Sequence, residues 1–181
     1  MLIEEYAWNL HEQDLKLKNG NLYSASKIKL KDDKLLRNKL MIILEEITQF
    51  QLVIWAINIS MPLLKYLDNN LQNDPRIEKA LDILTQRLKD QLKVSVLRNV
   101  GFEINRLSKE STSEISKIAA KCFSQAIAVG HMRGHALVSS DYCINLANLL
   151  NKSPTVERQG QIDIAKKVIG NKSNELLWTV D

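Results

Sequence analysis

The chain has 181 residues, 45% apolar and 25% charged, with only 6 Gly and 3 Pro. That length and balance allow one domain with a real core and argue against general disorder. So few turn residues exclude a many-stranded sheet in favour of long helices. The net charge of +4, with a pI near 9.0, is a mild bias; the 25 basic residues are mixed among 21 acidic ones rather than clustered on one face, which argues against a dedicated nucleic-acid binder.

Residues 1–30 read as an N-terminal arm whose structure the sequence leaves open. Glu4 to Leu17 has the makings of a short amphipathic helix, Asn19-Gly20-Asn21 is a turn signal, and the stretch from Leu22 to Leu30 is a candidate extended segment. Acids stand where a signal peptide carries Lys or Arg, so no secretory leader is expected. The densest basic stretch, Lys16 to Lys34, is diluted by Asp14, Asp32 and Asp33.

Residues 31–170 read as the domain proper. Asp32-Asp33 opens a helix with acids placed well for its dipole, and apolar residues keep helical spacing from Leu35 through Leu67. The most apolar window, Ile47 to Leu64, is interrupted by too many polar residues for a membrane span. Pro62 forces a kink or break near Ser60 or Met61. Asp74-Pro75 has the form of an N-cap followed by Pro at the first helical position. From Arg76 to Leu107 the pattern predicts either one helix bent near Asp90-Gln91 or two short ones, with Gly101 a second weak point.

The stretch from Ser113 to Leu150 contains no Pro and has apolar positions almost all the way round a helical wheel, so it predicts one long buried helix at the centre of the fold. Ser111 with Glu114 has the spacing of a capping box for it. On a continuous helix, Cys122 and Cys143 would stand roughly 30 Å apart, beyond the ~7 Å between Cα atoms that a disulfide allows. Two unbridged thiols fit a reducing cytoplasm. A further helix is predicted over Val156 to Ile169, closed by Gly170, and residues 171–181 form a tail whose Leu176, Leu177 and Trp178 are apolar enough to dock on the domain.

Candidate chemistry is sparse. His131 and His135 lie four apart, a metal-ligand spacing on a helix, but Met132 replaces the glutamate of zinc hydrolases and no third or fourth ligand is in register. The plainer reading is a hydrogen-bonded pair satisfying backbone or the Tyr142 hydroxyl. Gly130 and Gly134 suggest close helix–helix packing inside the domain, with a homodimer seam as the other reading. Arg133 reads as solvent-facing, with an internal ion pair as the alternative. Trp55 reads as core. Asp74 is explained as a cap, which leaves Arg76 without an assigned task. No catalytic constellation emerges, and no cofactor is expected.

From Leu44 to about Lys167 the chain resembles the Imm-5-like immunity proteins, a bacterial family linked to polymorphic toxin systems. The residues that carry the likeness are Trp55-Ala56, Met61-Pro62-Leu63-Leu64, Asp74-Pro75-Arg76 and, most specifically, the block AAKCFSQAIAVGHMRGHALVSSDYCINLA with its His, His-Ala and Tyr. The resemblance implies an all-helical cytoplasmic protein that binds and neutralises a cognate toxin, and it implies no catalytic residues. The expectation is therefore an all-α domain of about six helices around a central helix at 113–150. It is expected to work as a binding protein, with no nucleic-acid or membrane partner. His131, His135, Tyr142, Arg76 and Trp55 are its candidate binding or structural residues. The alternative is a small helical metal- or ligand-binding protein using His131 and His135.

Overall fold

The fold was obtained as a computed structural model that describes residues 1–20, 23, 25–26, 28–89 and 92–171. The expected C-terminal tail and the expected bend at Asp90-Gln91 lie outside the described residues, and so does part of the stretch from Leu22 to Leu30. Among the described residues the protein is all-α, without strands. Its elements are α1 (Ile3–Tyr6), α2 (Leu10–Asn19), α3 (Lys34–Glu45), α4 (Gln49–Ser60), a 3-10 segment (Met61–Tyr66), α5 (Pro75–Leu88), α6 (Val94–Glu110), α7 (Glu114–Ala128), α8 (His135–Leu149) and α9 (Pro154–Gly170).

Helix starts follow local chemistry. The side chains of Asp33, Thr48, Asp74, Ser113 and Ser153 each accept a backbone N–H of the first turn they cap. The unbroken apolar run expected from Leu35 onward is two helices, because Thr48 forms a capping box with Gln51 and restarts the chain there. Pro62 turns the end of α4 into a 3-10 segment, as the missing N–H requires. α6 runs unbroken through Gly101.

The predicted rod at 113–150 is a hairpin. α7 ends at Ala128, the chain reverses through residues 129–134, and α8 returns along it. Among the described residues nine α-helices stand where about six were expected, because the central stretch is a hairpin, the run from Leu35 is two helices and the N-terminal segment contributes two. The cap of α7 is Ser113 rather than Ser111, whose hydroxyl donates to Leu107 O. The reversal also overturns the expected separation of the cysteines, since Cys122 Sγ and Cys143 Sγ lie 3.0 Å apart across the α7–α8 contact. Both are unbridged and buried, and burial pushes the Cys143 thiol up, which keeps it unreactive.

α7 occupies the centre, packed along α6 and α8 and against α4. α4 is equally enclosed, with Leu52 to Ile57 all buried. Trp55 is fully buried as expected, and its Nε1–H donates 2.9 Å to Gln161 O on α9.

Beside this apolar core runs a buried ionic chain. Asp141 on α8 accepts from Arg37 Nε at 3.0 Å and Nη2 at 2.9 Å, and also from Arg158 Nη2. Arg158, fully buried, also donates to both carboxylate oxygens of Asp32 at 3.0 and 2.7 Å and to Ser140 Oγ. Two guanidiniums and two carboxylates thus balance in charge while tying α3, α8, α9 and the segment before α3 together. Removing one member leaves its partners charged in a dry site, a loss of about 3–5 kcal/mol. Arg158→Met is expected to destabilise the protein by that amount in urea unfolding. Leu35→Ala, at a largely exposed position of α3, is expected to change stability by less than about 0.5 kcal/mol.

Candidate functional site

The block that carries the sequence signal, residues 129–135, is the turn between α7 and α8. Gly130 suits the close approach there: a Cβ at this position would come within 2.6 Å of both Leu84 Cδ1 and Leu97 Cδ2 and make those side chains shift, so the glycine lets α5 and α6 close over the reversal. Gly134 caps the start of α8. The seam expected on one helix is therefore split, with His131 in the turn and His135 opening α8.

Arg133 is not solvent-facing. It is fully buried, stacks 3.8 Å over the Tyr6 ring, and donates to the carbonyls of Tyr6, Leu44 and Ile47. Its own backbone N–H and that of Gly134 donate to the two oxygens of Glu12, at 2.8 and 2.9 Å. Glu12 is itself fully buried and places its negative charge at the N-terminus of α8, where the helix dipole favours it. Asn9 Nδ2 donates to His131 O at 3.0 Å, and Gln49 Nε2 donates to Val129 O. These anchors come from α1 (Tyr6), from α2 and its cap (Glu12, Asn9), from the end of α3 and the α3–α4 connection (Leu44, Ile47) and from the start of α4 (Gln49). Tyr6 completes the clasp through Glu45, which accepts from its hydroxyl at 2.8 Å and from Lys16 at 2.6 Å. Burial, reinforced by Glu45, holds the Tyr6 phenol well above its ordinary range.

His131 and His135 are brought together, with ring centroids 5.3 Å apart and planes tilted by 50°. His135 Nδ1 lies 2.7 Å from Gln125 Oε1; with an amide oxygen as acceptor, Nδ1 carries the proton. Gln125, rather than Tyr142, is the partner. His131 Nδ1 is enclosed and has no partner among the described residues. Both imidazoles are half-buried, and burial lowers both pKa values, that of His131 to about 4 with the charges of His135 and Arg98 adding to the effect. Among the described residues no group of three or more His, Cys, Asp and Glu is placed to hold a metal.

Two concavities meet at His135. One, about 570 Å³, is lined by Glu12, Tyr23, Arg37, Asp141 and Tyr142. Tyr142 is half-buried, and burial raises its phenol pKa. The other, about 270 Å³, lies between α6 and the turn and is lined by Arg98, Gly101, Phe102, Asn105 and Gln125 with His131. Sequence reasoning passed over Arg98 and Phe102. The available signal was Phe102 itself, a large apolar residue that departs from the inward spacing of Leu97, Val100 and Ile104.

The remaining candidates stand apart from these concavities. Trp55 is in the core. Arg76 clamps the start of α5 to the end of α6, donating to Asp74 at 2.7 Å and to Glu110 at 2.8 Å.

A family model described as Imm-5 like putative immunity protein matches residues 43–168, well over half of the chain. The protein belongs to that family. No curated protein and no solved structure matches it. The Imm-5-like span contains α4 to α8 entire, including the turn, His131, His135 and the α6 groove. Tyr6, Asn9 and Glu12, which hold the turn, precede it. No helix of the described residues is long and apolar enough to cross a membrane.

The histidine environment has a measurable consequence. In the unfolded chain an imidazole protonates near pH 6.5, whereas folded His131 does so near 4. Between those values the unfolded state binds more protons, so His131 contributes stability that is complete above about pH 6.5 and is lost as pH falls toward 4. Urea unfolding of the wild type and His131→Gln across this window is expected to show a shallower pH slope for the variant, and NMR titration should place the His131 midpoint near 4.

Proposed function

We propose that this protein is a bacterial immunity protein that acts in the cytoplasm by binding a cognate toxin and blocking it, without turnover. The observation that carries the reading is the family match over residues 43–168. The interior is consistent with it: Arg133, Glu12, Arg158 and Asp141 are committed to holding the scaffold. A rigid scaffold suits an inhibitor, since a preformed surface avoids part of the ordering cost of binding.

The alternative of a metal held by His131 and His135 is less favoured. His135 Nδ1 is engaged by Gln125, and a zinc site would need further ligands from outside the described residues. A homodimer seam at Gly130 is also less favoured, because the space in front of that glycine is filled by Leu84 and Leu97 of the same chain.

Co-expression with the product of a neighbouring toxin gene tests the proposal. The expected result is restored growth of the toxin-expressing host and co-purification of the two proteins, with metal-free immunity protein in the complex. Absence of both complex and protection would refute it.

A further inference from the structure

The groove between α6 and the α7–α8 turn combines three features. The first is unspent positive charge. The acids of α6 are engaged, Glu103 by Lys79 at 2.8 Å and Glu110 by Arg76. Arg98, which lines the groove, and Lys109, in an adjoining concavity that shares Phe102 and Asn105 with it, form no ion pair among the described residues. The second is an apolar contact left in solvent: Phe102, 68% exposed, stands at the rim. The third is the floor. Gly101 has nothing within 4 Å of where a Cβ would be, its carbonyl accepts from Ser124 Oγ at 3.1 Å, and the lining includes His131, whose Nδ1 has no partner among the described residues. A glycine inside a helix weakens it relative to alanine, and here no neighbour among the described residues requires it. The bare floor leaves room for a side chain from another molecule.

We propose that this groove is the toxin-binding surface of the protein, receiving an acidic side chain of the toxin between Arg98 and the His131–His135 pair while an adjacent apolar side chain of the toxin packs on Phe102. The assignment rests on the toxin-binding reading above. Charge complementarity selects the occupant: exposed cations steer and orient an acidic partner, and an aromatic anchor beside them supplies the buried contact that dominates binding energy. A nucleic-acid backbone fits less well, because the chain's 25 basic residues are interspersed with 21 acidic ones rather than gathered into one extended stripe.

Arg98→Glu, Phe102→Ser and Gly101→Met, the last filling the floor, test the assignment. Arg98 and Phe102 are exposed and Gly101 has open space before it, so circular dichroism should match wild type and no variant should melt appreciably lower, with Gly101→Met expected to melt slightly higher. Leu35→Ser, in a separate groove between α3 and α9, serves as control. Affinity for the neighbouring-gene toxin is expected to fall at least about tenfold in each groove variant, and for Arg98→Glu the salt dependence of association should flatten; Leu35→Ser should bind as wild type. A wild-type protein that forms no complex overturns this assignment, and one that also fails to protect overturns the proposed function. A wild-type complex with groove variants at full affinity, or with Leu35→Ser as the damaging change, overturns the assignment alone. Retention of transfer RNA by wild type and its loss in Arg98→Glu, with toxin affinity unchanged, also overturns it.

Discussion

The reversal between α7 and α8 depends on a carboxylate and a guanidinium that approach it from opposite directions. Glu12 takes the amides of Arg133 and Gly134 just ahead of α8, and Arg133 reaches out of the same turn to three carbonyls beyond it. Neither residue forms a simple ion pair with the other. Each satisfies backbone groups that the hairpin would otherwise bury without partners, a shortfall comparable to a lost hydrogen bond apiece. Once the turn is fixed, α8 lies along α7, Cys143 meets Cys122, and Asp141 faces Arg37 and Arg158. The groove beside α6 exists because the turn stands where it does.

The helical class was legible from composition and spacing alone, and so were the breaks at Pro62 and Asp74-Pro75, because those signals are local. The reversal was not. Residues 113–150 are apolar round the whole wheel, and such a pattern describes one buried helix as well as two that bury each other. The glycines at 130 and 134 were visible, yet a glycine pair reads equally as packing surface or as turn. What decides between them is Glu12, more than a hundred residues away in sequence, which no periodicity connects to the turn.

The same limit applied to charge. Arg133 on a continuous helix would lie off the faces that carry His131 with His135 and Gly130 with Gly134, so solvent was the natural expectation for a guanidinium. Arg158 and Asp141 carried no spacing signal at all, since their partners lie on other elements. Within the candidate site, the histidine pair was legible as a four-residue interval, and the two rings do meet, although through a turn rather than along a helix face. Gln125, which orients His135, and Arg98 across the groove come from other helices and were hidden, whereas Phe102 was marked only by its departure from the inward spacing of α6.

The clasp also bears on where this protein can be cut. The span shared with its family begins at residue 43, after every group that α1 and α2 supply. A fragment trimmed to that span would keep the Arg133 guanidinium while discarding the Tyr6 ring and carbonyl beneath it, and would leave the amides at the head of α8 facing water. The span matched by the family and the portion of the chain that holds the hairpin are therefore different lengths, and the opening helices sit over the reversal as a fastened lid.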